Sequence, residues 1–117
     1  MLHKHRSRMV TEGPTRTPHR AFLRATGMDD EALQKSFVGI VSTAGDNTPC
    51  SMPLAGQADN ARLGVAQGGG VPIMFSTISV SDGTSMNHMG MRMSLISRET
   101  IADSVELVIR GHAYDAL

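Results

Sequence analysis

The sequence has no tryptophan, one tyrosine and three phenylalanines. Binding surfaces for single-stranded nucleic acid stack bases on such rings, so their scarcity argues against that class of function. A single cysteine excludes an internal disulfide framework and suits a reducing cytosol. Neither sign of charge is in excess: 11 Lys and Arg stand against 11 Asp and Glu. A balanced chain has no global electrostatic pull towards nucleic acid or an anionic membrane. No apolar run is long enough to span a bilayer. The expectation is a cytoplasmic protein with neither a nucleic acid nor a membrane as partner. At 117 residues it has room for one domain at most, with a thin core.

Residues 1–13, MLHKHRSRMVTEG, are basic and polar and lack the apolar segment of a secretory signal. They read as a flexible, solvated tail. An organelle-targeting remnant, with a stroma or matrix destination, is the alternative. His3 and His5 have metal-binding spacing, which on such a tail weighs less than simple solvation.

Residues 14–117 carry the structural pattern. Pro18 suits the first turn of a helix capped by Thr17, with Gly27 as its stop. Asp29 and Asp30 open a second short helix reaching Lys35. Phe37–Val41 is an apolar run read as the first buried strand. A polar loop from Ser42 to Ser51 follows, and then a weak helix from Pro53, with Gly56 and Gly64 inside it. Gly68-Gly69-Gly70 follows a helix and precedes a strand. That order is the reverse of a phosphate loop, so a flexible connector is expected. Ile73 to Val80 reads as a second buried strand, broken at Ser81-Asp82-Gly83. A loop to Ser94 leads to a helix capped by Ser97, with an apolar stripe at Ile101, Val105, Val108 and Ile109. Tyr114–Leu117 reads as the entry to a third strand.

The sum is an α/β fold, a β-α-β-α-(β) parallel-sheet layer preceded by short N-terminal helices. It reads as a truncated part of a larger domain. Cys50 follows the first strand and Asp82 the second, so both fall at the carboxyl edge of one sheet, where open α/β folds bind ligands. Against this stand two plainer readings. Cys50 is by default a buried, inert thiol, and Asp82 can simply close a turn through its own side chain. A thiolate and a carboxylate are not a complete metal site. Nor does any pattern make His88 or His112 the base of a cysteine nucleophile. Met86, Met89, Met91 and Met93 offer thioethers of the kind Cu(I) takes, but flexible gap-filling accounts for them more simply.

Several segments, in order, resemble the dihydroxy-acid dehydratases, whose family also holds phosphogluconate and sugar-acid dehydratases. They are Arg16-Thr17-Pro18-His19-Arg20 with Leu23 to Gly27, Thr48-Pro49-Cys50, Phe75 to Gly83, and Ser97-Arg98-Glu99 with Ile101 to Glu106. The runs through Ser81-Asp82-Gly83 and Ala102-Asp103-Ser104 are closer to the branched-chain member. The resemblance implies that Cys50 is one of three cysteines holding an iron–sulfur cluster, 2Fe-2S or 4Fe-4S, and that Asp82 ligates Mg²⁺. It implies dehydration of a small dihydroxy-acid substrate in valine and isoleucine biosynthesis, by an enzyme that is a homodimer when full length. The remaining ligands and a serine base would lie beyond Leu117, so no catalytic residue falls within this chain. Ile96, where the family has proline, Asn87-His88-Met89 and Met93 depart from the pattern. Two other readings are a sugar-acid or phosphogluconate dehydratase fragment, and a non-catalytic remnant that binds a partner or a metal.

Overall fold

A computed structural model describes residues 4–117. Two parallel strands form its centre, β1 (Phe37–Ser42) and β2 (Val71–Ser76), paired in register from Phe37 opposite Val71 to Ser42 opposite Ser76. Parallel pairing needs a long crossover, which α3 (Leu54–Gln67) supplies. On the other side of β1, Ala116 forms a parallel bridge to Val38, and Gly39 N–H donates to the Ala116 carbonyl at 2.8 Å. Tyr114–Leu117 is therefore the entry to a third parallel strand, as its sequence suggests. The β-α-β-α-(β) order stands.

Before the sheet come α1 (Arg8–Thr11), a 3₁₀ turn at Pro14–Arg16, α2 (Thr17–Ala25) and a second 3₁₀ turn at Ala32–Gln34. Pro18 lies in the first turn of α2, where its missing N–H costs nothing. The chain leaves α2 through Gly27 at φ +97°, a conformation that glycine adopts without strain. Asp29, at the start of the next turn, accepts from the Ala32 N–H at 2.8 Å.

Three sequence expectations are corrected. The described part of the supposed tail, from Lys4 onward, is anchored to the fold through Lys4 to Ser7, although most of its residues stay exposed. The Asp115 carboxylate accepts from the main-chain N–H groups of His5, Arg6 and Ser7 at 2.6–3.0 Å and from the Ser7 hydroxyl at 2.6 Å. Lys4 donates to the carbonyls of Leu33 and Lys35 and sits 4.5 Å from the centre of the Phe37 ring. The second strand ends at Ser76, not Val80, and is only partly buried, since it pairs on one side only. Ser97 caps nothing. It lies inside α5 (Gly90–Gly111), where its buried hydroxyl donates to the Ser94 carbonyl at 2.6 Å. His3 lies outside the described residues, so the His3–His5 pair is not seen whole.

Leu33, Phe37 and Tyr114 are the buried apolar centre, with Val10, Leu23, Ile73, Phe75, Val108 and Ile109 packed around it. No helix among the described residues is long and apolar enough to cross a membrane.

Candidate functional site

Two loops leave the carboxyl ends of the strands. The first runs from Thr43 to Pro53. Thr48 and Ser51 are buried, and Ser51 N–H donates to the Thr48 carbonyl at 3.0 Å, forming a tight turn. Cys50 stands on the outside of that turn with its thiol free and exposed. The expectation of a buried thiol is thus overturned, because the flanking hydroxyl residues take the interior positions.

The second loop runs from Thr77 to Met89 and holds a single helical turn, α4 (Asp82–Ser85). One bond ties the second loop to the last residue of β1, and one joins the two loops. Thr77 N–H donates to the Ser42 carbonyl at 3.1 Å, and the Asn47 amide donates to the Ser79 carbonyl at 3.1 Å. Cys50 and Asp82 therefore belong to loops that are linked at one sheet edge. They make no direct bond with each other.

The Asp82 side chain does not close the turn. Ser81 does so, its hydroxyl accepting from the Gly83 N–H at 3.2 Å. The carboxylate turns instead towards α5. Its Oδ1 takes a hydrogen bond from the Ser94 hydroxyl, which is also 3.2 Å from the Val80 carbonyl. Its Oδ2 lies 3.7 Å from Nη2 of Arg98. Ser94 and Arg98 are four residues apart, one helical turn, and so share a face. The Asp82 side chain is 45 % exposed and Arg98 70 %, whereas Ser94 is buried at 3 %. The sequence reading missed Ser94 and Arg98 as partners of Asp82. The i,i+4 spacing could have flagged them only had the helix been started at least three residues earlier, so as to include Ser94.

His88 is engaged locally. Gly90 N–H can only donate, so Nδ1 of His88 accepts from it at 3.0 Å; the neutral ring then carries its proton on Nε2, 2.9 Å from the Thr84 carbonyl. His112 stacks on Tyr114 at 5.7 Å. Neither ring serves Cys50. Met86, Met89 and Met93 are exposed and fill no gap, which corrects the packing role expected of them.

Among the described residues no three His, Cys, Asp or Glu side chains converge as a metal site. The donors that are present match two different ions in kind. An exposed thiol suits a soft centre such as an iron–sulfur cluster, and a half-exposed carboxylate with one oxygen loosely paired suits a hard cation. Each is one ligand, not a set.

Residues 35–117 match the family described as dihydroxy-acid/6-phosphogluconate dehydratase N-terminal. The chain is 84 % identical over 116 residues to "Dihydroxy-acid dehydratase 2" of Bordetella bronchiseptica, covering 99 % of this chain and 20 % of that protein. It is 57 % identical over 116 residues to "Dihydroxy-acid dehydratase 3" of Bradyrhizobium diazoefficiens, again covering 99 % of this chain and 20 % of the relative. "Dihydroxy-acid dehydratase" of Dinoroseobacter shibae is 50 % identical over 111 residues, 95 % of this chain and 19 % of that protein. The chain thus spans about a fifth of the length of the curated relatives it matches.

Proposed function

The chain belongs to the dihydroxy-acid/6-phosphogluconate dehydratase family, and on that premise we propose that it is the amino-terminal segment of a hydro-lyase. The reaction is loss of water from a 2,3-dihydroxy-3-methyl acid to give a 2-oxo acid, a step towards valine and isoleucine. The observation that carries this reading is the pairing of loops at one sheet edge, one bearing an exposed thiol and the other a held carboxylate. The names of the relatives favour this substrate class over sugar acids.

In this reading Cys50 gives one thiolate to an iron–sulfur cluster, and Asp82 gives one oxygen to Mg²⁺. What such groups supply when bound is Lewis acidity towards the departing 3-hydroxyl and the substrate oxygens. The chain's own residues fix where those two ligands stand. Buried Thr48 and Ser51 hold the Cys50 turn, and Asn47 ties it to the loop that carries Asp82. No base for the C2 proton is assigned within the chain.

The test is a chimera in which this segment replaces the matching fifth of the Bordetella relative. Purified anaerobically, it should show cluster absorbance and turn over a 2,3-dihydroxy-3-methyl acid in preference to a sugar acid. Cys50→Ser should abolish both the absorbance and the turnover. Full absorbance and rate in that variant would refute the role of Cys50. The 117-residue chain alone, given iron and sulfide, should show no turnover.

A further inference from the structure

The two oxygens of Asp82 are held unequally. Oδ1 is bonded to Ser94, which is buried, so its rotamer is set by the packing of α5 against the Val80–Ser85 segment. A single hydroxyl proton serves one acceptor at a time, and an ionised carboxylate outcompetes the Val80 carbonyl for it. Oδ2 has only Arg98 beside it, at 3.7 Å, beyond hydrogen-bond length, from a guanidinium that is largely exposed. A pair of that kind is weak, since water competes for both charges. Among the described residues no other side chain bonds to either oxygen.

We propose that Ser94 and Arg98 are positioning residues for Asp82: Ser94 fixes Oδ1 so that Oδ2 alone meets a divalent cation, and Arg98 is the exchangeable counter-charge that the cation displaces. This rests on the reading of Asp82 as a cation ligand. Ligating carboxylates are commonly oriented by a hydrogen bond to the oxygen that does not ligate. The displaced guanidinium keeps its place on the same face of α5, one turn from Ser94, available to the next anion that enters.

The two residues should act in opposite directions on cation affinity, which a merely structural clamp would not produce. The experiment uses the anaerobically purified full-length chimera and Mn²⁺ as the probe, with the fall of the free Mn²⁺ paramagnetic resonance signal reporting binding. Ser94→Ala should weaken Mn²⁺ about tenfold, the lower end for loss of a ligand-orienting partner. Arg98→Gln should tighten it, by up to about fivefold, since the competing charge is gone. Arg98 is exposed, so its variant tests the idea even if Ser94→Ala fails to fold. Weaker binding in both variants, or no change in either, overturns the proposal. Asp82→Asn separates the levels. If it abolishes binding while the other two are silent, the ligand reading stands and the positioning roles fall. If it binds as the parent does, both fall together.

Discussion

Asp115 is the most heavily bonded side chain among the described residues. It accepts from the N–H of His5, Arg6, Ser7 and Phe37 and from the Ser7 hydroxyl. Burial by itself raises a carboxylate pKa; here the donors, with Ser7 foremost, outweigh it and hold the group at about 2. A depressed pKa stabilises the fold wherever the unfolded group would be ionised. That contribution is complete well above the ordinary value of 3.8 and is lost as pH falls towards about 2. Asp115→Asn keeps the size but turns an NH₂ towards donors. It should cost about 2 kcal/mol, read as roughly thirtyfold faster hydrogen exchange at His5, Arg6, Ser7 and Phe37. The gap between parent and variant should close on acidification through that window; a gap unchanged at pH 2 would count against the clamp. Nothing local in the sequence marks Asp115, because three of its partners lie 108–110 residues away. That is also why the first residues read as a tail.

Among the elements, β1 and α3 are legible from the sequence, since an apolar run followed by Pro53 carries its own punctuation. The start of α5 is not. Residues 86–94 include Asn87, Gly90 and Ser94, which suggest a loop, and Asn87 does take a positive φ of 63°. The first turns of α5 are held by the Ser94–Asp82 contact rather than by propensity, so periodicity finds only the part after Ser97. Ser97→Ala should therefore cost less than the roughly 1 kcal/mol of a lost cap in a urea melt of the full-length chimera. Gly39 tells the opposite story. A Cβ there would meet Ile109 Cδ1 at 3.0 Å, Tyr114 Cδ2 at 3.1 Å and Leu117 Cδ1 at 3.3 Å. Gly39→Ala should destabilise by about 1–3 kcal/mol in the same melt, because the packed Ile109 and Tyr114 must give way together, while Leu117 is exposed and can move.

The whole molecule is elongated, 56 × 27 × 24 Å, with a radius of gyration of 16.9 Å, against about 13 Å for a compact domain of this length. Apolar side chains stand in water: Phe22 is 79 % exposed, with Leu95, Ile96 and Leu107 along α5. An open apolar cleft of about 600 Å³, bounded by Phe22, Leu23, Ile73, Met74 and Tyr114, takes no lining from the Cys50 and Asp82 loops. It is therefore a packing surface rather than part of the candidate site. Surfaces of this kind should make the isolated 117-residue chain bind a dye such as ANS and associate as its concentration rises. A monomer at all concentrations with no dye binding would contradict that.

From Ser94 to Ile109, α5 covers about 22 Å at 1.5 Å per residue. One end grips the Asp82 carboxylate, and the other rests on Gly39 in β1. A methyl group added at Gly39 would press on Ile109, and any shift passed along α5 would arrive at the Ser94 hydroxyl that holds the Asp82 carboxylate, far from the substituted residue.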